Sequence, residues 1–325
     1  MVVDYTAITD ILACPRCRTK LARDATSTLR CDNPDCEQHG RPFQVLQGVP
    51  ILVDFRESVL DEEVFFRHAA GSDLPRDPSQ QTVSSRAKRF LFGTNQSAER
   101  ISVEMVRALG ARTARPRILV VGGGEIGSGA RALYAAAEVD LVGTDIYASA
   151  NTTLVADGHQ LPFLDGAFDG VWIQAVLEHV LDPQTVVAEI HRVLKPGGLV
   201  FADTPFMQPV HEGPYDFCRF SLSGHRWLFR RFTLIDAGYT GGPGTSARWL
   251  LGYLARALTR SSGAGRAVAA AFFWLRFFDL LAPGRFAADA ASGTYFYGER
   301  SEQSIRPADA IRFYEEQKAL TARKG

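Results

Sequence analysis

The strongest constraint on the fold is a short run, Arg117-Ile118-Leu119-Val120-Val121, apolar and β-branched, that stops at Gly122-Gly123-Gly124-Glu125-Ile126-Gly127. The next ten residues, SGARALYAAA, read as a helix. A buried strand, a glycine turn and a helix form the corner at which open α/β sheets bind nucleotides. Glycine is needed where the backbone passes so close to a ligand that a Cβ would collide, and Gly122 and Gly124 take that role here. In VDLVGTDIY, Asp145 ends the following strand, where a carboxylate can grip two ribose hydroxyls. A turn of this kind serves dinucleotides as well as other adenosine cofactors, so the corner alone leaves the cofactor open.

The residues downstream narrow the choice. Ala156-Asp157-Gly158, Leu161-Pro162-Phe163, Asp165, Phe168-Asp169, the strand pattern GVWIQAVLEHV, the helix pattern TVVAEIHRVL and the turn Lys195-Pro196-Gly197-Gly198 follow in that order. As a set, over residues 117 to 205, they resemble the class I S-adenosylmethionine-dependent methyltransferases of the small-molecule type. The resemblance implies a Rossmann-like, seven-stranded α/β sheet and S-adenosylmethionine as cofactor. Carried over by position, Gly122 and Gly124 line the methionine moiety, Asp145 holds the ribose, Asp157 and Gly158 meet the adenine, and Gln174 closes the site at the end of strand four. Val120 departs from the pattern: many relatives carry an acidic residue there, and its absence removes a contact to the methionine amino group. Asp165 and Asp169 read as turn residues ahead of a strand, whereas Glu178 and His179 fall where a site edge and a helix start coincide.

Four of the five cysteines crowd into residues 14 to 36, as Cys14-Pro-Arg-Cys17 and Cys31-Asp-Asn-Pro-Asp-Cys36. Two such pairs suit a tetrahedral zinc site in a reducing compartment better than a disulfide framework, and four thiolates leave no open position for chemistry. The metal is therefore read as structural Zn2+, with His39 as a surface histidine and Cys218 as a buried small hydrophobe. Six basic residues face seven acidic ones across this segment, which argues against a phosphate-binding surface. ILACPRC, LRC and FQVLQGVPILVDF, over residues 8 to 55, resemble the small zinc-ribbon proteins that activate tRNA and release-factor methyltransferases. That resemblance implies a scaffold fused to the enzyme it supports.

The acceptor side is read after strand five, GLVFADTP, in the loop Phe206 to Phe220. Methyl transfer from a sulfonium is an in-line displacement, so the enzyme positions the acceptor and, for a hydroxyl, removes a proton. His211 is the candidate base, Asp216 or Glu212 its orienting partner, and Tyr215 and Arg219 candidate contacts to the acceptor. FTLIDAGY (232 to 239) and SGTYFYGER (292 to 300) read as the last two strands. Between them WLLGYLARAL and AVAAAFFWLRFFDLL read as two helices joined by a flexible SSGAG. From 248 to 285 six arginines face Asp279 alone, so this hairpin is expected at an anionic membrane surface, in a homodimer interface, or as a lid.

The domain reading is a zinc ribbon over 1–55, linker and helices over 56–112, and a methyltransferase domain over 113–325 with a helical insertion at 244–290. Across all 325 residues, 36 basic side chains balance 36 acidic ones, which removes the positive field that accompanies nucleic-acid binding. Without a leader-like N-terminus or a long apolar run, the protein is expected in the cytoplasm, in contact with a membrane at most through the hairpin. The function expected is O-methylation of a small-molecule, glycan or lipid-linked biosynthetic acceptor. Its rivals are an RNA methyltransferase that uses the ribbon for recognition and a non-catalytic scaffold. Against the RNA reading, Gln174-Ala175-Val176-Leu177 stands where a base-methylating asparagine-proline-proline-aromatic motif would lie.

Overall fold

The computed structural model describes residues 2–23, 28–70, 94–282 and 284–322. The proposed linker from Gly71 to Ser85, and residues 86–93 of the helical pattern after it, lie outside them.

The N-terminal segment contributes two small hairpins, β1 (Leu21–Arg23) with β2 (Leu29–Cys31) and β3 (Val45–Leu46) with β4 (Val49–Pro50), followed by helix α1 (Glu62–Ala70). Helix α2 (Gln96–Gly110) leads into the main alternation. This comprises β5 (Arg117–Val121), α3 (Arg131–Ala135), β6 (Asp140–Asp145), β7 (Leu154–Val155), β8 (Phe168–Gln174), α4 (Pro183–Val193) and β9 (Leu194–Pro205). Helix α5 (Leu222–Leu228), strand β10 (Phe232–Thr240), helices α6 (Pro243–Thr259), α7 (Ser262–Ala271) and α8 (Gly284–Asp289), strand β11 (Gly293–Arg300) and helix α9 (Pro307–Ala322) complete the chain.

Seven strands make one sheet in the order β7-β6-β5-β8-β9-β11-β10. β5 pairs in parallel with β6 and β8, β6 pairs in parallel with β7, and β10 and β11 are antiparallel. The mixed α/β architecture and the seven strands agree with the expected Rossmann-like class. Chain order reverses at β5, and open sheets bind ligands at the carboxyl ends of strands beside such a reversal. Buried on both faces, β5 and β8 are nearly continuous runs of apolar residues, with Trp172 1% exposed. No helix among the described residues is long and apolar enough to cross a membrane.

Several elements differ from the sequence reading, among them the strand pattern GVWIQAVLEHV, of which only the part up to Gln174 lies in β8. The helix after the glycine turn is confined to Arg131–Ala135, because Gly127 and Gly129, the latter at φ 91°, disfavour a helical start. Lys195-Pro196-Gly197-Gly198 forms the start of β9, with Gly197 at φ 74°. SSGAG forms the first turns of α7, where Ser261 caps the helix by accepting from Ala264 N–H. Its glycine serves close packing: a Cβ on Gly265 would lie 2.8 Å from the Gly252 carbonyl of α6. The aromatic run that follows leaves the α-helix at Phe272 and continues as a 3-10 helix, Phe273–Leu280.

The chain divides into two compact units, one of Met1–Thr82, Ser102–Ile173 and Asp182–Val200, the other of Val83–Ile101, Gln174–Leu181 and Phe201–Gly325. In the first unit the N-terminal segment is hydrogen-bonded into the core strand by strand. Val3 N–H donates to the Leu141 carbonyl, Ala13 N–H to Pro162, Leu164 N–H to Ile11 and Leu52 N–H to Val155. The buried carboxylate of Glu189 on α4 accepts from Arg18 at 2.9 Å, from Arg192 at 2.8 and 2.7 Å, and from Leu161 N–H at 3.0 Å. Removing one partner of a buried ion pair leaves the other charge uncompensated. Glu189→Ala is therefore expected to lower the unfolding free energy by about 3–5 kcal/mol in urea titrations, and a loss under about 1 kcal/mol would show that the carboxylate does not hold this junction.

Candidate active site

The first unit carries the glycine turn and two carboxylates. Gly122, directly after β5, has φ 72°, a left-handed conformation open to glycine at little cost. At Gly124 a Cβ would strike the Tyr147 ring and lie 2.7 Å from Asp145 Oδ2. Asp145, half-buried at the end of β6, accepts from Gly124 N–H at 2.8 Å and from Ile146 N–H at 2.7 Å. The turn and the acid thus form one hydrogen-bonded assembly. A half-buried carboxylate beside a backbone bare of Cβ atoms fits the ribose and amino-acid portions of an adenosine cofactor.

Asp157 follows β7 and is 4% exposed. It accepts from Ser58 Oγ at 2.6 Å and from His159 N–H at 2.9 Å, with His159 Nδ1 at 2.6 Å. Burial pushes this carboxyl up, but the hydrogen bonds from His159 and Ser58 prevail and hold it below its ordinary range. Gly158 opens the 3-10 turn Gly158–Gln160, its Cβ position 3.5 Å from Val186. Phe55, Phe65 and Phe66 pack as an aromatic cluster against Ile51, Val53 and Val155 of the same unit.

The four predicted zinc ligands converge, with every pair of sulfurs within 4.8 Å. Cys14 and Cys36 sulfurs are 4.0 Å apart and those of Cys17 and Cys31 3.5 Å, against about 3.8 Å for the edge of a ZnS4 tetrahedron. Each pair sits on a tight turn, Arg18 N–H donating to the Cys14 carbonyl and His39 N–H to Cys36, so the donor set and geometry fit zinc. His39 is exposed and outside the cluster, as expected.

The second unit gathers the acid–base groups. Beyond Gln174 the chain turns at Ala175, φ 55°, and buries Glu178 to 1% exposure. Neither Glu178 oxygen has a hydrogen-bond partner among the described residues, and burial pushes its carboxyl up to about 8. His179 Nε2 is 3.6 Å from Glu178 Oε1, while its Nδ1 meets the Tyr215 carbonyl at 2.5 Å. Burial lowers the His179 imidazole below its ordinary value. His211 lies against His179, ring centroids 5.1 Å apart, so that Glu178, His179 and His211 form one compact group.

Asp216 accepts from His211 N–H at 3.0 Å and lies 3.5 Å from its Nδ1. The Arg219 guanidinium grips Asp216 and holds its carboxyl down to about 2. Arg219 also donates to the carbonyls of Gln208, Pro209 and Cys218, so it ties the loop together. Tyr215 is 47% exposed, and Cys218, expected in the core, is half-buried.

A second carboxylate, half-buried, escapes the motif reading. Asp203, near the end of β9, accepts from Asn95 Nδ2 at 2.5 Å, Thr240 Oγ1 at 3.1 Å and Gln174 Nε2 at 3.4 Å. Enclosure raises it to about 7. Its signal in the sequence is an acid placed directly after the apolar run Leu199-Val200-Phe201-Ala202. Ser58 and His159, which grip Asp157, had no such signal because each lies in a loop pattern.

Two outcomes follow. Zinc analysis of the purified chain is expected to return about one ion per molecule, and Cys36→Ser to abolish it and lower the melting temperature by several degrees; undiminished zinc in that variant would refute the four-thiolate site. For Asp203 the folded-state value lies above the ordinary 3.8, so its stabilising contribution is complete below that value and is lost as pH rises through about 7. Asp203→Asn should therefore reduce, by about 4 kcal/mol at most, the fall in unfolding free energy between about pH 4 and about pH 7.5, and an unchanged slope would show the carboxyl to be unshifted.

Residues 119–202 match the family described as a methyltransferase domain. An uncharacterised chloroplastic methyltransferase of Arabidopsis thaliana is 46% identical over 65 residues, 20% of this chain and 17% of that protein. The ubiquinone/menaquinone biosynthesis C-methyltransferase UbiE of Desulfotalea psychrophila is 38% identical over 87 residues, 26% of this chain and 35% of that one. The chain thus spans well under two thirds of the length of these curated relatives. Among solved structures, phosphoethanolamine N-methyltransferase 2 of Haemonchus contortus superposes with a TM-score of 0.42 at 18% identity, covering 67% of this chain and 57% of that one. The family match runs from the core of β5 through the glycine turn to β9.

Proposed function

We propose that this protein is an S-adenosylmethionine-dependent methyltransferase that methylates an oxygen of a small-molecule, glycan or lipid-linked acceptor in a biosynthetic pathway. The observation that carries the reading is the family match laid over the β5 turn and the Asp145 carboxylate bonded to it. Gly122 and Gly124 would face the methionine portion, Asp145 the ribose hydroxyls, Asp157 and Gly158 the adenine, and Gln174 the far end of the cofactor. Bound there, S-adenosylmethionine supplies an electrophilic methyl group whose bond to sulfur breaks as the bond to the acceptor oxygen forms.

The loop from Phe206 to Phe220 carries the candidate proton acceptor. His211 takes the hydroxyl proton, and Asp216, held ionised by Arg219, steadies the imidazole through its backbone N–H and Nδ1 side. Tyr215, largely exposed on the same loop, meets the acceptor. Glu178, raised to about 8 by burial, stays protonated at neutral pH and leaves this group without a second negative charge. Zinc held by Cys14, Cys17, Cys31 and Cys36 is structural, since its shell is closed.

Calorimetric titration should show binding of S-adenosylmethionine and none of NADH. His211→Ala should retain that binding while S-adenosylhomocysteine release on a panel of hydroxyl-bearing glycans and lipid-linked sugars falls about a hundredfold or more. Full turnover in the variant would remove His211 as base, and failure of the wild type to bind S-adenosylmethionine would remove the enzymatic reading.

A further inference from the structure

The α6–α7 hairpin and the 3-10 helix after it leave a large apolar surface that no other described residue covers. On α6, Leu250, Leu254 and Leu258 fall at four-residue spacing on one face and are 52%, 56% and 77% exposed. The opposite face is inside: Gly252 is buried against Gly265 and Ala269 of α7, and Arg248 is buried with its Nε donating to the Ala269 carbonyl. The 3-10 helix packs on α6 and carries Trp274 and Phe278, while Leu280 and Leu281 at its end are 81% and 77% exposed. Monomeric soluble proteins rarely leave so many large apolar side chains in water, and such groups mark an interaction surface.

Charge selects the occupant. Between Pro243 and Ala282 the only acidic residue is Asp279. Its carboxylate is spent within the fold, accepting from Gly244 N–H at 2.7 Å and from Thr245 Oγ1 at 2.6 Å at the start of α6. Arg256, Arg260 and Arg266 are exposed, with no acid of the hairpin left to face them. Tyr253, Arg256, Ala257 and Arg260 line an open hollow of about 320 Å3 beside the leucine stripe, with the Arg256 guanidinium 5.5 Å from the Tyr253 ring centroid. A hollow with two cations and a phenol ring beside apolar side chains suits a phosphate-bearing headgroup, with the leucines set against its acyl chains.

We propose that this hairpin is an interfacial docking surface for an anionic phospholipid bilayer, with Arg256 and Arg260 as its headgroup contacts and Leu254 and Leu258 as its apolar anchor. It lies in the interface plane, since no helix among the described residues is long and apolar enough to span. The inference is independent of the methyl-transfer reading, because it uses none of the residues assigned to the cofactor or the proton.

The test is co-sedimentation of the full chain with phosphatidylcholine vesicles that contain or lack phosphatidylglycerol, at low and high salt. Binding is expected only to the anionic vesicles and to weaken as salt screens the contact. Arg256→Gln/Arg260→Gln should weaken it about thirtyfold, at about 1 kcal/mol for each arginine near a charged surface. Leu254→Ser/Leu258→Ser should weaken it further at high salt, where only the apolar anchor remains. Both variants change exposed side chains, and an unchanged circular dichroism spectrum and melting temperature keep their losses interpretable. Equal binding to both vesicle types, or no binding, would overturn the proposal. So would a dimer in sedimentation velocity that the leucine variant dissolves, for then the face belongs to a second copy of the chain.

Discussion

Glu189 is the point on which the first unit turns. An isolated buried carboxylate would be costly, and it is stable here because α4 supplies Arg192, the N-terminal segment supplies Arg18, and the segment after Asp157 supplies the Leu161 amide. Three stretches of chain far apart in sequence are thereby fixed to one atom group, and backbone hydrogen bonds from Ala13 to Pro162 and from Leu52 to Val155 repeat the connection on either side. An N-terminal segment of about 50 residues cannot bury enough surface to stand well alone. Its sulfur cluster and its strand-like bonds into the core are two answers to the same shortage. The second of them also brings Ser58 onto Asp157, so a residue of the N-terminal segment orients a carboxylate just past β7.

The second unit is governed by the opposite problem, carboxylates with too little solvent. Glu178 is raised to about 8 with no hydrogen-bond partner among the described residues, and Asp203 to about 7 despite three donors. Asp216, gripped by Arg219, is driven down to about 2. Three acids in one unit therefore span a wide range of proton affinity, set by burial in two cases and by a cation in the third. This separation lets one loop hold a lasting negative charge beside His211 while the neighbouring Glu178 stays neutral.

Apolar runs made most of the main sheet legible: β5, β6, β10 and β11 follow them closely, whereas β8 ends at Gln174, six residues short of its pattern, and the short β7 was not read from the residues. The four cysteines were legible because metal geometry demands close pairs. Glycine was the main source of error, because the same residue starts a turn, bends a strand or lets two helices touch. Gly127 and Gly129 shortened α3, Gly197 joined β9, and Gly265 packed against α6 instead of loosening a linker. Of the site residues, Gly124 and Asp145 were found together because the motif fixes their spacing, and they are hydrogen-bonded to each other. Asn95, Thr240 and Ser58 each act on a carboxylate from a distant part of the chain, a relation that no local pattern contains.

The hydroxyl of Tyr253 donates to the carbonyl of Val210 at 2.8 Å, one residue before His211. A single hydrogen bond thus joins the apolar hairpin to the loop that carries the imidazole, and Tyr253 also lines the arginine hollow. Coupling free energies are reciprocal: a ligand that shifts α6 and a ligand that shifts the loop must each alter the affinity of the other by the same factor. Were a ligand on the hairpin and a ligand on that loop coupled through this bond, the coupling would act with equal strength in both directions.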